Sequence, residues 1–322
     1  MKLLVLGGTV YLGRAVVDAA LADGHEVTIF NRGRTNPGLH PSVQALRGDR
    51  DGDLAALRGR RWDAVIDPSG FLPRLVAASA DLLRDAVERY VFVSTISVYA
   101  DVSVPYDEGA PLARLANPAT EDVAADYGAL KAACEGVLDE RLGERATHAR
   151  AGLIAGPFDP TNRFTYWCTR LAQGGEVLAP GDPDRPLQLI DVRDLARWLL
   201  DAARRGPAGP VNVTGPAAPL TLGEALERVA RALGGRARLR WIDDATLLEA
   251  GVEPWTELPL WLPDPALAGF LRADISRALA GGLELRPLER TALDTLAWAA
   301  GAGEQRAVLD RERERRILDT AR

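Results

Sequence analysis

The 322-residue chain contains only two cysteines, Cys134 and Cys168. A pair in a chain this long makes no disulfide framework, so a reducing compartment is the default expectation. Histidine is as sparse: His25, His40 and His148 stand singly, without the His or Cys spacing of a metal site. They read as satisfied or exposed side chains. Positive charge is not in excess, with 39 Lys and Arg against 45 Asp and Glu and a formal charge of -6. Such a balance argues against nucleic acid as the main partner, because phosphate backbones repel it. Long apolar runs are missing too. The first apolar run stops at Gly7-Gly8-Thr9, too short for a signal-peptide core, and no segment reaches the ~18 apolar residues of a membrane span. The expectation is a cytoplasmic protein without a membrane partner. What remains is an ordinary globular composition, 47% hydrophobic and 26% charged. It fits one large α/β domain or one domain plus a smaller lobe.

The first half alternates short apolar runs with amphipathic stretches. Strands are expected over residues 3–6, 26–30, 64–66 and 90–93, and helices over 14–23, closed by Gly24, and 75–87. A short helix is expected over 53–58, with Asp53 as its N-cap. The β-α-β-α order implies an α/β fold, a doubly wound, Rossmann-like parallel sheet with right-handed crossovers. Residues 101–122 are acidic and contain proline, hence loop; 126–142 reads as a long helix and 148–154 as a strand. Further on, Gly156-Pro157 and Asp159-Pro160 break the chain, a strand over 211–214 returns to the first sheet, and helices follow over 222–233 and 287–300. The expected organisation is a dinucleotide-binding domain over 1–155, with later strands near 187–215 returning to it. A substrate lobe with C-terminal helices would occupy 156–322. Six of the seven tryptophans lie after residue 160. Trp241, Trp255 and Trp261 either line an apolar substrate pocket or pack under the smaller lobe. The charged tail over 304–322 reads as a solvated terminal helix, with a homodimer contact as the other reading.

Three motifs carry chemistry. Gly7-Gly8-Thr9-Val10-Tyr11-Leu12-Gly13 joins the first strand to the first helix. Gly7 permits a tight turn, Gly13 a close approach of helix to sheet, and the N–H groups at the helix start favour a pyrophosphate. A plain strand–helix turn is the alternative, but the strand before and the second strand some twenty residues on fit a dinucleotide site. At the end of that second strand stands Phe30-Asn31-Arg32-Gly33-Arg34. An acid there would bind a ribose 2′-hydroxyl; two guanidinium groups suit a 2′-phosphate instead, which points to NADP, with NAD as the other candidate. The third is Tyr127-Gly128-Ala129-Leu130-Lys131. A four-residue spacing on a helix puts phenol and ammonium on one face, where the cation would lower the tyrosine pKa and make it usable in proton transfer. Val93-Ser94-Thr95-Ile96-Ser97-Val98-Tyr99 supplies strand-end hydroxyls that could hold a substrate oxygen.

Together these residues resemble the extended short-chain dehydrogenase/reductase superfamily, in its NAD(P)-dependent epimerase/dehydratase branch. The likeness is close over about the first 215 residues and loose beyond. It implies a catalytic set of Thr95, Tyr127 and Lys131: the tyrosine exchanges a proton with the substrate oxygen, and the lysine holds the nicotinamide ribose. It implies cofactor contacts from Gly7, Thr9, Val10, Tyr11, Leu12 and Gly13, from Asn31, Arg32 and Arg34, and from Ser69 and Lys131. Asp49, after Gly48, matches the acid that meets adenine. Residues 190–196 match a segment that the family places just before a helix.

Departures help to choose the reaction. Val10 stands where the family has its second glycine, as in atypical branches that include plastid RNA-associated members. Asp67-Pro68-Ser69-Gly70 replaces the usual small-residue run, and Ala100 the usual glycine. Nucleotide-sugar dehydratases carry an Asp-Glu pair after the catalytic Thr; here Ile96 and Ser97 stand there, which disfavours dehydration. Leu153 takes the place of an Asn common in nucleotide-sugar enzymes, and residues 151–158 look more like the ketone-reductase branch. The resemblance therefore implies an NADP-dependent oxidoreductase acting on a small-molecule carbonyl or the matching alcohol. A nucleotide-sugar epimerase is the alternative within the superfamily, and a cofactor-sensing or RNA-associated binding protein the alternative of another class.

Overall fold

The computed structural model describes residues 1–302 and 308–320. In chain order the strands are β1 (Lys2–Leu6), β2 (Glu26–Asn31), β3 (Gln44–Arg47), β4 (Ala64–Asp67), β5 (Arg89–Thr95), β6 (Ala146–Ala151), β7 (Ile154–Ala155), β8 (Gly175–Pro180), β9 (Ile190–Asp191), β10 (Gly209–Val213) and β11 (Ala237–Ile242). The helices are α1 (Tyr11–Ala22), α2 (Pro73–Leu83), α3 (Val123–Leu142), α4 (Arg163–Ala172), α5 (Val192–Arg205), α6 (Leu222–Ala232), α7 (Asp244–Glu249), α8 (Ser276–Ala280), α9 (Leu288–Ala299) and α10 (Arg311–Thr320).

β1 explains the architecture in miniature. Leu3 and Val5 face one apolar cluster, while Leu4 and Leu6 face another. A strand apolar on both faces must be covered on both, which is the condition of a parallel sheet wrapped by helices. The seven strands run β3-β2-β1-β4-β5-β6-β10, all parallel. α1 and α5 cover one face, α2 and α3 the other. The chain is therefore a Rossmann-like α/β protein, and the strand order reverses beside β1, where ligands of such sheets bind. β10 lies beside β6, as expected for the strand near residue 211.

Several expected boundaries move, each for a local reason. The helix placed over 53–58 is a single 3-10 turn at Ala55–Leu57 with Leu54 at its start; Asp53 Oδ1 accepts from the Ala55 N–H at 3.3 Å. The strand placed over 148–154 stops at Ala151, because the chain leaves the sheet at Gly152. A Cβ on Gly152 would lie 2.2 Å from Thr214 Oγ1, and beyond it Ile154 pairs with Ile190 instead. α2 ends four residues earlier than the periodicity suggests, at Leu83.

A further core joins α4, α6, α9, α10 and the two-stranded sheet β8–β11 to Ile96, Val98, Tyr99 and Tyr106 of the first half. Trp167 and Trp261 are fully buried there; their indole N–H groups donate to Pro259 O at 2.9 Å and Asp244 Oδ1 at 2.7 Å. Trp241 and Trp255 pack partly buried against the same core, so packing absorbs the tryptophan cluster. The solvated terminal helix expected from the charged tail needs correction. α10 turns Glu314, Ile317 and Leu318 inward, and Glu314 accepts from Arg170 Nε at 2.8 Å and from the Leu178 N–H at 3.0 Å. The parts of that expectation that fall on 304–307 and 321–322 lie outside the described residues.

Candidate active site

A cleft of about 640 Å³ opens at the C-terminal ends of β1, β2, β4 and β5. Every residue assigned to the site from sequence lines it: the loop residues Gly7, Thr9, Val10, Tyr11, Leu12 and Gly13; Asn31, Arg32 and Arg34; Asp49 and Ser69; and Thr95, Tyr127 and Lys131.

The glycine loop meets its stereochemical requirements. Gly7 and Gly8 take φ of +116° and +92°, a region that side chains disfavour. A Cβ on Gly13 would sit 2.9 Å from the Gly8 amide nitrogen, so this glycine lets α1 start against the loop. Val10 occupies the N-cap in ordinary extended conformation (φ −133°), which needs no glycine, and its side chain is 48% exposed. No side chain caps α1, leaving its first N–H groups and the positive end of its dipole facing the cleft. Asn31 ties the loop to β2: its Nδ2 donates to Gly7 O at 2.9 Å, and its Oδ1 accepts from the Gly33 N–H at 2.9 Å and from Arg47. Asn36 adds a bond to Thr9 O at 3.0 Å that sequence reading missed. Arg32 and Arg34 are exposed and make no hydrogen bond or ion pair with any described residue. Asp49 is half-buried and accepts from the Asp51 N–H at 3.1 Å, while the Ser69 hydroxyl donates to Leu6 O at 2.8 Å.

On the opposite wall, α3 begins at Val123, capped by Asp122 through the N–H groups of Ala124 and Ala125. It kinks at Asp126 (φ −112°, ψ 21°), immediately before Tyr127. Gly128 is what brings Tyr127 beside Thr95. A Cβ there would lie 2.0 Å from the Ser97 carbonyl oxygen, so only glycine lets the helix rest on the strand end that carries the hydroxyls. Burial pushes the Tyr127 hydroxyl above its ordinary value, while the Thr95 hydroxyl and the Arg163 guanidinium pull it down. The expectation that Lys131 would lower the tyrosine pKa is therefore corrected. The lysine is turned elsewhere, donating to Gly70 O at 2.6 Å and Val93 O at 2.7 Å, with its ammonium 3.9 Å from the centre of the Phe92 ring.

Below this lysine lies a polar cluster that the motifs did not announce. Asp67 is fully buried and receives Arg50 Nη1 at 2.8 Å, Arg50 Nη2 at 2.5 Å and the Tyr90 hydroxyl at 2.8 Å. A signal was present: among the 39 basic residues only Lys2 and Lys131 are lysines. A chain that otherwise uses arginine keeps a lysine where a compact ammonium fits between two carbonyls.

A glycine-lined helix start faces a hydroxyl pair and a buried ammonium across one cleft, at the strand-order reversal of a parallel sheet. That combination defines a dinucleotide-binding enzyme of the Rossmann class. The chain belongs to the NAD dependent epimerase/dehydratase family, whose model matches residues 3–214. Among curated proteins it is similar to the chloroplast stem-loop binding protein of 41 kDa b of Arabidopsis thaliana, 26% identical over 216 residues, 62% of this chain. It spans 54% of that protein, about half its length. It is also similar to the isoflavone reductase homolog IRL of Zea mays, 25% identical over 264 residues, 77% of this chain and 79% of the other. In fold it matches the UDP-glucuronic acid 4-epimerase of Bacillus cereus in complex with NAD, with a TM-score of 0.67 at 16% identity over 94% of this chain and 99% of the other. Among the described residues no helix is long and apolar enough to cross a membrane.

Proposed function

We propose that the protein is an oxidoreductase that reduces a small-molecule carbonyl to the alcohol with NADP, NAD being the other candidate cofactor. The residues present suit such a cofactor. The Gly7–Gly8 turn and the uncapped start of α1 suit the pyrophosphate, and Arg32 and Arg34, exposed and without a partner among the described residues, suit a 2′-phosphate. When bound, the cofactor supplies the hydride. The chain's own residues do the rest. Thr95 orients the substrate oxygen, Tyr127 gives it a proton as the carbon is reduced, and Lys131 holds the nicotinamide ribose. Solvent then reprotonates the phenolate, so the enzyme returns to its starting state.

The observation that carries this reading is the state of Tyr127. It lines the cleft together with Thr95 and Lys131, and burial pushes its hydroxyl above the ordinary value, a direction that favours the protonated, donating form. A nucleotide-sugar epimerase starts its cycle by oxidising an alcohol, which asks the same residue to begin as a base. A free-thiol inventory fits a reducing, cytoplasmic setting: Cys134 and Cys168 are both buried and unpaired, and burial pushes the Cys134 thiol up to about 12.

The cofactor assignment is tested by titrating NADPH and NADH into the wild type and Arg32→Ala. NADPH is expected to bind more tightly, and loss of the guanidinium to narrow the gap by about 1.5–3 kcal/mol, as for one charge-assisted bond. Equal affinities in the wild type would overturn the NADP assignment. Turnover of a ketone and aldehyde panel should consume one NADPH per product. Cofactor that stays bound while a sugar is inverted would instead identify an epimerase, and RNA binding without turnover a binding protein.

A further inference from the structure

We propose that Asp67 is a positioning residue: clamped by Arg50 and Tyr90, its carboxylate holds the turn that seats Lys131 and keeps that ammonium charged. The inference rests on the reading of Lys131 given above.

The geometry starts from the turn Asp67-Pro68-Ser69-Gly70 at the end of β4. Asp67 Oδ1 accepts from the Ser69 N–H at 3.1 Å, fixing the turn from within. The turn ends at Gly70, whose carbonyl is one of the two oxygens that receive Lys131 Nζ. A Cβ on Gly70 would stand 3.0 Å from Asp67 Oδ2 and 2.6 Å from the Phe92 ring, so carboxylate, turn and ring are packed with no side chain between them. The carboxylate cannot drift. Arg50 grips it with both terminal nitrogens and is itself pinned to Ser79 Oγ at 2.8 Å, while the Tyr90 hydroxyl closes the remaining side.

An ammonium with 2% of its residue exposed, set between two neutral carbonyls, loses most of its hydration and tends to shed its proton. Burial accordingly pushes Lys131 down to about 8. The charged and titratable groups that face it are Asp67 from the end of β4, Arg50 from the loop after β3, and Cys134 and Glu135 one turn further along α3. Asp67 opposes burial most strongly of these, and Arg50 acts with burial. Asp67 thus offsets the cost of seating the lysine; Arg50 holds the carboxylate ionised, below its ordinary value, despite burial.

The sparse lysines make this directly measurable. In protein labelled with carbon-13 at lysine Cε only Lys2 and Lys131 carry label, and Lys131→Met assigns the second signal. A pH titration of the free wild-type protein should show Lys131 changing charge near pH 8. That midpoint is the reference for the variants, since the Asp67 carboxylate acts on it against burial. In Asp67→Asn the midpoint should fall by about one pH unit or more, the size of effect expected from one nearby opposite charge. That variant leaves Arg50 without its carboxylate and can fail to fold. The pair Asp67→Asn with Arg50→Gln removes both charges together and should still move Lys131 downward, by less. An unmoved or rising midpoint in either folded variant contradicts the proposal, because a residue that merely packs the turn would leave the titration in place. Neither substrate nor cofactor is added. A carbonyl panel left without any NADPH-consuming turnover would overturn the oxidoreductase reading without altering this result, and the converse holds.

Discussion

Tyr127→Phe should slow turnover by about 10²–10⁴-fold, the usual contribution of a positioned acid–base group. The substitution keeps the ring, which lies 6.4 Å from the Phe71 ring, and removes only the hydroxyl. NADPH affinity and melting temperature should therefore stay close to wild type. Two companion variants separate roles. Thr95→Val should slow turnover less, since it deletes an orienting hydrogen bond and not the proton source. Lys131→Met should weaken cofactor binding as well as turnover, because the proposed contact is with the ribose. Steady-state kinetics beside cofactor titration distinguish the three. Retention of most activity in Tyr127→Phe would remove the tyrosine from the chemistry.

Gly128→Ala should be nearly as damaging to turnover, by a route that involves no functional group. The added methyl would stand 2.0 Å from Ser97 O, a backbone atom that no rotamer change can move aside. Either α3 lifts away from the strand end or the strand end shifts, and both separate Tyr127 from Thr95. Displacement of a catalytic group by about an ångström can cost roughly 10²-fold in rate. Overpacking of this kind typically costs about 1–3 kcal/mol of stability. The expected result is a folded protein with a lower melting temperature and roughly hundredfold slower turnover, with any loss of NADPH affinity smaller than in Lys131→Met, since the glycine loop lies on the opposite wall. Wild-type turnover in Gly128→Ala would show that the close helix–strand contact does not position the tyrosine.

That glycine also marks where sequence reading stopped. Tyr127 and Lys131 were legible as a pair because four-residue spacing on a helix is a local rule, and the glycine loop was legible because a strand and a helix flank it. What those residues do to one another is not local. Lys131 donates to carbonyls of β5 and of the turn after β4, so the phenol is tuned by burial, Thr95 and Arg163 instead. Nothing in the spacing announces that choice. The sheet was legible from runs apolar on both faces, such as Leu3 to Leu6. α4 was not: Arg163–Ala172 is rich in Thr, Tyr, Trp, Phe and Cys, weak helix formers, and its burial of Phe164, Trp167 and Leu171 decides its state. β11 was hidden by its alternating arginines; the terminal helix was expected, but its burial was hidden by charges, of which Glu314 is buried against Arg170. In each case tertiary contacts between distant segments override a polar composition.

The central claim is that the cleft transfers hydride from a nicotinamide cofactor to a substrate carbon with net consumption of the cofactor. NADPH deuterated at the transferable position of its nicotinamide, incubated with the protein and the carbonyl panel, tests it most directly. The account predicts an alcohol carrying one deuterium on the former carbonyl carbon, one NADP⁺ formed per alcohol, and loss of that product in Tyr127→Phe. Deuterium that never leaves the cofactor, or that returns to it with no net oxidation, would contradict the account.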